Sequence, residues 1–456
     1  MVFVIFYQKI EFIEKIVYTF HMLIQFSVGN YRSFKDIVTV SLLASSDKEL
    51  PENTFSIDSK TKLLKSSVLF GANASGKSNI FKALLFMQGF IANSSKDTQI
   101  NEKIPVDSFK LSTETEHKPS YFEVHFIHDK TLYRYGFEAD MDKIHSEWLF
   151  YKPLGQPRRR MINLFTRESK KDGNKFNFNI KFKEGIGLET KTRPNALFLS
   201  VAAQFNGEIS QKVLQWFTTR FNIISGYDEQ AYMNFSISKL RDDSLRKEIL
   251  KFTQAADLSI EDLIHESIDI SKVQLPNFFN DEMKEQILAS NPIKINTLHK
   301  KYDQKDKLLG NVVFDLGINE SEGTKKIVFL SAPILDTLAN GKMLFIDELD
   351  SRLHPLITEY IIKLFNSKET NPYNAQLFFA AHSSMLLGSM HFRRDQIWFT
   401  EKDKYGATSV YSLDDYNLKV RKDASFEKNY LQGKYGAIPY IDYVGAFNKV
   451  ERNEKT

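Results

Sequence analysis

Hydrophobic positions along this chain follow three patterns, and each predicts a different kind of element. Ile24, Phe26 and Val28 alternate with polar residues, and Ile37, Val40 and Leu42 mark a second run of the same kind, so two antiparallel strands are expected to lead toward the next apolar run. That run, Ser67-Val68-Leu69-Phe70, is unbroken, as are Lys342-Met343-Leu344-Phe345-Ile346 and Gln376-Leu377-Phe378-Phe379-Ala380-Ala381; strands buried on both faces read this way. From Lys118 to Phe182 short alternating runs recur, among them Tyr121 to Phe126, Leu132 to Phe137 and Glu147 to Tyr151, which predicts an antiparallel meander with one face buried. Asn195 to Gln204 reads as one more apolar strand. Beyond it, from about 208 to 300, the spacing turns helical, with Val213-Leu214 beside Trp216-Phe217 and Leu245 beside Ile249, Leu250 and Phe252.

Composition narrows the class. With 456 residues, 42% hydrophobic and 26% charged, the chain is an ordinary globular one with room for two or three domains' worth of core. Its net charge of +4 argues against a protein that coats nucleic acid, though a local basic patch stays open. The absence of cysteine excludes disulfides, cysteine-ligated zinc and cysteine nucleophiles, and fits a cytoplasmic setting. The ten histidines show no ligand spacing, and the 38 phenylalanines read as core filling rather than as a base-stacking surface. The opening run Met-Val-Phe-Val-Ile-Phe-Tyr is interrupted by Gln8, Lys9 and Glu11 far short of a membrane span, and it lacks the basic start and cleavage site of a signal peptide. Met22 looks like a natural beginning, so residues 1–21 are expected to be an upstream extension. Arg158-Arg159-Arg160 reads either as a solvated hairpin tip or as a contact to a nucleic-acid backbone.

The chemistry concentrates at Leu69 to Ile80, Leu-Phe-Gly-Ala-Asn-Ala-Ser-Gly-Lys-Ser-Asn-Ile, which contains Gly-x-x-x-x-Gly-Lys-Ser between a buried strand and the helical run Phe81 to Phe86. Gly71 and Gly76 let the backbone curl so that successive N–H groups face phosphate oxygens. Asn73, Ala74, Ser75 and Asn79 belong to the same expected nucleotide cradle. Lys77 supplies a point charge for the β and γ phosphates, and Ser78 offers a hydroxyl to Mg²⁺ at the positive end of a helix. The ligand implied is ATP with Mg²⁺.

A second group of residues completes phosphoryl chemistry. The apolar run at 342–346 ends in Asp347 and Glu348, where Asp347 suits the Mg²⁺ shell and Glu348 can orient or deprotonate an attacking water. Asn30-Tyr31-Arg32-Ser33-Phe34 ahead of the loop, Ser321-Glu322-Gly323-Thr324 before a helix-like run, Leu349-Asp350-Ser351-Arg352-Leu353-His354-Pro355 after the acids, and His382 after the last buried strand stand in the order found in ABC-type ATPases. The chain resembles that clan, in particular DNA-repair, chromosome-organising and overcoming-lysogenisation-defect proteins.

The resemblance implies an α/β P-loop NTPase of ABC-ATPase-head type with an inserted antiparallel β-meander and a helical lobe. It divides the chain into lobe I at 22–205, a helical insertion at 206–300 and lobe II at 301–456. By the same resemblance Arg32, Ser33 and Phe34 lie near adenine and phosphates, Gln204 reaches Mg²⁺, Ser321 and Gly323 grip the nucleotide of an opposite subunit, and His382 senses the γ-phosphate. A homodimer or larger homo-oligomer with shared sites follows. Glu322 departs from the usual glycine of the signature and places negative charge there, and Ser321 also reads simply as a helix cap. The tail from Phe426 to Pro439 is similar to that of prokaryotic abortive-infection ATPases of the RloA and AbiL type, which implies anti-phage defence with a Toprim-type nuclease as partner. No Toprim acidic cluster is evident in this chain, so that nuclease is expected on a separate polypeptide. The competing class is a repair or recombination ATPase that binds DNA or RNA without a toxic partner. A scaffold that binds ATP without turnover is a third, and Glu348 argues against it.

Overall fold

The computed structural model describes residues 21–439 apart from 97–98, 100, 157–159, 171–172, 226–228, 257–258, 268–292, 389–390 and 417–424; all of the expected extension at 1–21 except His21, and Arg158-Arg159, lie outside the described residues. Strands β1 (Met22–Gly29) and β2 (Val38–Ser41) pair antiparallel, a hairpin of β3 (Thr54–Ser56) and β4 (Lys62–Leu64) follows, and β5 (Ser66–Gly71) runs into helix α1 (Lys77–Asn93). The meander then comes as expected: β6 (Ser120–His128), β7 (Thr131–Ala139), β8 (Ile144–Pro153), β9 (Ile162–Lys170) and β10 (Gly173–Phe178). It does not stand alone. β1 pairs with β6, so β1 and β2 complete a seven-stranded antiparallel sheet, ordered β10-β9-β8-β7-β6-β1-β2, instead of lying beside β5.

The second large sheet carries the unbroken apolar runs. Its order is β11 (Phe221–Ile224), β15 (Met343–Ile346), β16 (Gln376–Ala380), β5, β17 (Ile397–Lys402), β18 (Thr408–Ser412), with every pairing parallel except the last. Period-two alternation sends successive side chains of each strand to opposite faces. Leu69, Met343, Phe345, Phe378 and Ala380 join α1 and the antiparallel sheet in one core, which α3 (Glu208–Thr219) also enters through Val213, Trp216 and Phe217. Val68, Phe70, Leu344, Ile346, Leu377 and Phe379 join the opposite core with α6 (Glu322–Asn340) and α7 (Pro355–Asn366). The parallel sheet is therefore buried on both faces, which explains why its strands show no polar alternation.

Asn195 to Gln204 is not a strand. Phe198–Gln204 forms a short helix, α2, whose first six residues are all buried, so its apolar pattern holds no period that separates helix from strand. What decides the matter is distant in sequence. The Glu147 carboxylate on β8 accepts the N–H groups of Phe198 at 2.7 Å and Leu199 at 2.9 Å, capping the positive end of α2 with a negative charge.

Between 206 and 300 the described residues hold α3, α4 (Glu229–Leu240) and α5 (Asp243–Ala255), and also strands: β11, β12 (Asp262–Ser267) and most of β13 (Ile293–Tyr302). β12, β13 and β14 (Leu308–Asp315) make a small antiparallel sheet that shares a core with α4, α5 and α6 through Leu240, Ile249, Leu263, Ile295 and Val328. Among the described residues no helix is long and apolar enough to cross a membrane.

Candidate functional site

Three loops leave the parallel sheet at neighbouring strand ends. Register sets Ile346 opposite Phe379 and Phe379 opposite Val68, so the chain emerging from β15, β16 and β5 delivers Asp347-Glu348, His382 and the 71–78 loop to one edge. Open α/β sheets bind ligands at such carboxyl edges. Backbone bonds close the seam: Ala381 N–H donates to Leu69 O at 3.1 Å, and Leu349 N–H to Ala380 O at 3.1 Å.

The loop is wound as its glycines allow. Gly76 sits at φ 110°, a backbone conformation that favours glycine, and caps α1. A Cβ there would lie 2.5 Å from Thr408 Oγ1 and 2.9 Å from Ser33 Oγ. Those two side chains brace the loop from outside: Thr408 Oγ1 hydrogen-bonds Ser75 O at 2.8 Å and Ser33 Oγ at 2.9 Å, while Asn79 Nδ2 donates to Ser33 Oγ at 2.7 Å. Ser75 Oγ pairs with Thr400 Oγ1 at 2.6 Å. Asn73 and Ala74 stay exposed at the crown, with Ala74 left-handed at φ 61°. Lys77 is buried and its Nζ donates to the carbonyls of Gly71 at 2.7 Å and Ala72 at 3.1 Å. Burial pulls its pKa down, against the opposing charges of Asp347, Glu348 and Asp350.

Asp347 is buried at 6% exposure, and burial, with Glu348 adjacent, pushes its pKa up against the Ser78 hydrogen bond and the charges of Lys77 and His382. Its Oδ1 is buried without a hydrogen-bond partner. A buried carboxylate oxygen next to a serine hydroxyl is a hard donor pair that suits Mg²⁺, and a glycine-wound loop of this kind suits a triphosphate. Glu348, held at φ 57°, is about half exposed, with Oε1 3.7 Å from His382 Nε2.

Other expected residues stand differently. Phe34 is fully buried in the core shared with α1, so its ring offers no open face to a nucleotide. Arg32 pairs with Asp107 at 3.1 Å and with the Tyr31 hydroxyl at 3.2 Å. Gln204 is exposed at the end of α2, whose Ser200 bonds Ile91 O at 2.7 Å, roughly 20 Å along α1 from Lys77 at 1.5 Å per residue. Ser321 caps α6 by accepting Thr324 N–H at 3.1 Å, and no described contact joins it to the 71–78 loop of its own chain. Gly323 instead packs on the turn after Glu348, where a Cβ would lie 2.9 Å from Arg352 O, and Glu322 pairs with Arg352 at 3.3 Å and Lys325 at 2.8 Å.

Thr400 and Thr408 were not legible as site residues, because each occupies an ordinary strand position more than three hundred residues after the loop it braces. The structure also gathers His21, His128 and Asp129, with ligand atoms within 4.8 Å of one another. The two rings share a 2.8 Å Nδ1 to Nδ1 hydrogen bond and feel the positive charge of Arg220, so the group reads as a paired-histidine contact and not as a cation site.

Against known proteins, residues 66–388 match the family described as "AAA domain, putative AbiEii toxin, Type IV TA system". No curated protein matches. Among solved structures the chain is similar to an SMC head bound to the C-terminal winged-helix domain of ScpA, at 12% identity over 86% of this chain and 97% of that one with a TM-score of 0.42. It is also similar to the SMC head domain from Thermotoga maritima, at 13% identity over 86% and 98% with a TM-score of 0.36. The family match covers well over half of the chain and contains the phosphate loop, the Asp347-Glu348 pair and His382, so this chain belongs to that family of AAA domains.

Proposed function

We propose that the chain is the Mg²⁺-dependent ATPase subunit of an abortive-infection system, in which ATP-driven pairing of two heads gates a partner nuclease of Toprim type carried on another polypeptide. The observation that carries the ATPase reading is the meeting, at one sheet edge, of the Lys77-Ser78 loop with Asp347, Glu348 and His382, Asp347 Oδ1 being buried and unpartnered. Ser78 and Asp347 would hold the metal, whose charge would offset that of the phosphates. Lys77 would exchange its carbonyl partners for phosphate oxygens. Glu348, exposed and held by a left-handed backbone, would take the proton of an attacking water, and His382, whose Nε2 lies 3.7 Å from Glu348 Oε1, would donate to the γ-phosphate.

Ser321 and Gly323, which touch no part of their own phosphate loop among the described contacts, would serve the loop of a second copy. The defence assignment draws support from the toxin-system description of the family. The decisive experiment measures ATP turnover and oligomer mass for the wild type and Glu348→Gln. A loss of turnover of about a hundredfold or more with an ATP-stabilised dimer supports shared sites. Unchanged turnover removes Glu348 from its role, and a variant that remains monomeric with ATP removes pairing. Co-purification with an adjacently encoded Toprim protein tests the partner, whereas salt-sensitive DNA affinity of the chain alone would favour a repair ATPase.

A further inference from the structure

Asp350 is the acidic residue of the 347–350 run to which the reading above gives no work. Its Oδ2 accepts two backbone N–H groups from the end of β16, His382 at 2.8 Å and Ser383 at 2.6 Å. Its Oδ1 is buried and lacks a hydrogen-bond partner, a condition that, among the described carboxylate oxygens, only Asp347 Oδ1 shares. The charge of Asp350 reaches Lys77. Turn geometry places Asp350 on the same small unit as Glu348, since Ser351 N–H bonds Glu348 O and Leu353 N–H bonds Asp350 O, each at 3.2 Å.

We propose that Asp350 is a positioning residue: it clamps the backbone of His382 to the turn that carries Glu348, and so keeps the His382 ring within 3.7 Å of that carboxylate. A carboxylate that served only to close a strand end could satisfy its second oxygen with solvent or a neighbour. Here that oxygen is buried without a partner, as is Asp347 Oδ1 three residues earlier, so the clamp is built from the site's own acids. An amide oxygen can accept the same two N–H groups, whereas a methyl group cannot. The consequence for turnover rests on the ATPase reading; the clamp itself does not.

The test uses the full chain with Asp350→Ala, Asp350→Asn, His382→Ala and the Asp350→Ala/His382→Ala double variant, followed by ATP turnover, affinity for a non-hydrolysable ATP analogue, and amide exchange at residues 381–384. Asp350→Ala is expected to lower kcat about tenfold or more with analogue affinity changed little, to speed exchange at 382 and 383, and to add nothing in the His382→Ala background. Asp350→Asn should stay within about threefold of wild type on kcat by keeping the acceptor. Multiplicative losses in the double variant, an Asp350→Asn defect as large as that of Asp350→Ala, or unchanged exchange in Asp350→Ala would each overturn the proposal. If Asp350→Ala does not fold, Asp350→Asn decides alone, through retained or lost turnover and protection. A wild type without turnover would sink the ATPase reading, and the exchange measurement would still judge the clamp.

Discussion

Lys326, one turn into α6, donates its Nζ to the carbonyl oxygen of Glu348 at 2.8 Å and to that of Ser351 at 2.7 Å. The helix that opens at Ser321 is thereby tied to the backbone of the residue proposed to activate water. Lys326→Met, which keeps the aliphatic stem and removes the donor, is expected to lower kcat about tenfold while leaving affinity for an ATP analogue within a factor of about two. Steady-state kinetics beside a binding titration would read this. Equal losses in both would show that the contact supports the loop rather than the turn.

Gly76→Ala should abolish nucleotide binding, because the new methyl meets Thr408 and Ser33 in a left-handed backbone. Thr408→Val is the graded version: it deletes the bonds to Ser75 O and Ser33 Oγ, and is expected to lower stability by about 1–2 kcal/mol and to weaken ATP binding. A Thr408→Val protein with wild-type affinity would show that the loop holds its shape unaided.

The capping of α2 depends on a buried ion pair. Glu147 and Arg167 are fully buried 3.6 Å apart, with Arg167 Nη1 also on Ala196 O at 2.7 Å and the Tyr135 hydroxyl on Glu147 Oε1 at 3.0 Å. Glu147→Ala should destabilise the chain by about 3–5 kcal/mol, since it strands the guanidinium and uncaps α2. Denaturant unfolding of this variant and of Glu147→Ala/Arg167→Met would measure it; a double variant no more stable than the single one would count against a stranded charge as the cause.

Acid should weaken the fold at its N-terminal strand. Burial, together with the charges of Arg220 and His128, lowers the His21 pKa from 6.5 to about 4. The unfolded chain then binds more protons than the folded one, so the contribution is complete above pH 6.5 and is lost as pH falls toward about 4. His128 is shifted in the same direction, chiefly by burial. Thermal melts between pH 7.5 and 4.5 should show His21→Asn less acid-sensitive than wild type, and superimposable profiles would remove His21 as the cause.

The parts of the site that a reader of the sequence could find are those whose chemistry is local. Gly71 to Ser78 is contiguous, and Lys342 to Glu348 announces itself because a strand buried on both faces has no polar residue until it ends. The meander was legible for the opposite reason, its alternation surviving on strands with a polar side. Failures arose where a distant residue decides the outcome. Leu199 is helical because Glu147 caps it, and Phe34 goes to the core although its neighbour Ser33, expected at the site, does reach the loop through Thr408 and Asn79. Gln204 was placed by family order alone, with no spacing to anchor it.

Phe221, Phe345, Phe378 and Phe81 form a ring-to-ring path from β11 across β15 and β16 to α1, with centroids 4.6, 5.9 and 5.7 Å apart. All four belong to the core shared with the antiparallel sheet, whereas their chain neighbours Leu344, Leu377 and Phe379 belong to the other. Two adjacent residues of one strand thus answer to different halves of the molecule. Asp347 and His382 therefore follow strands whose successive residues are held by two different cores, so repacking either core is expected to shift the strand ends that bear them.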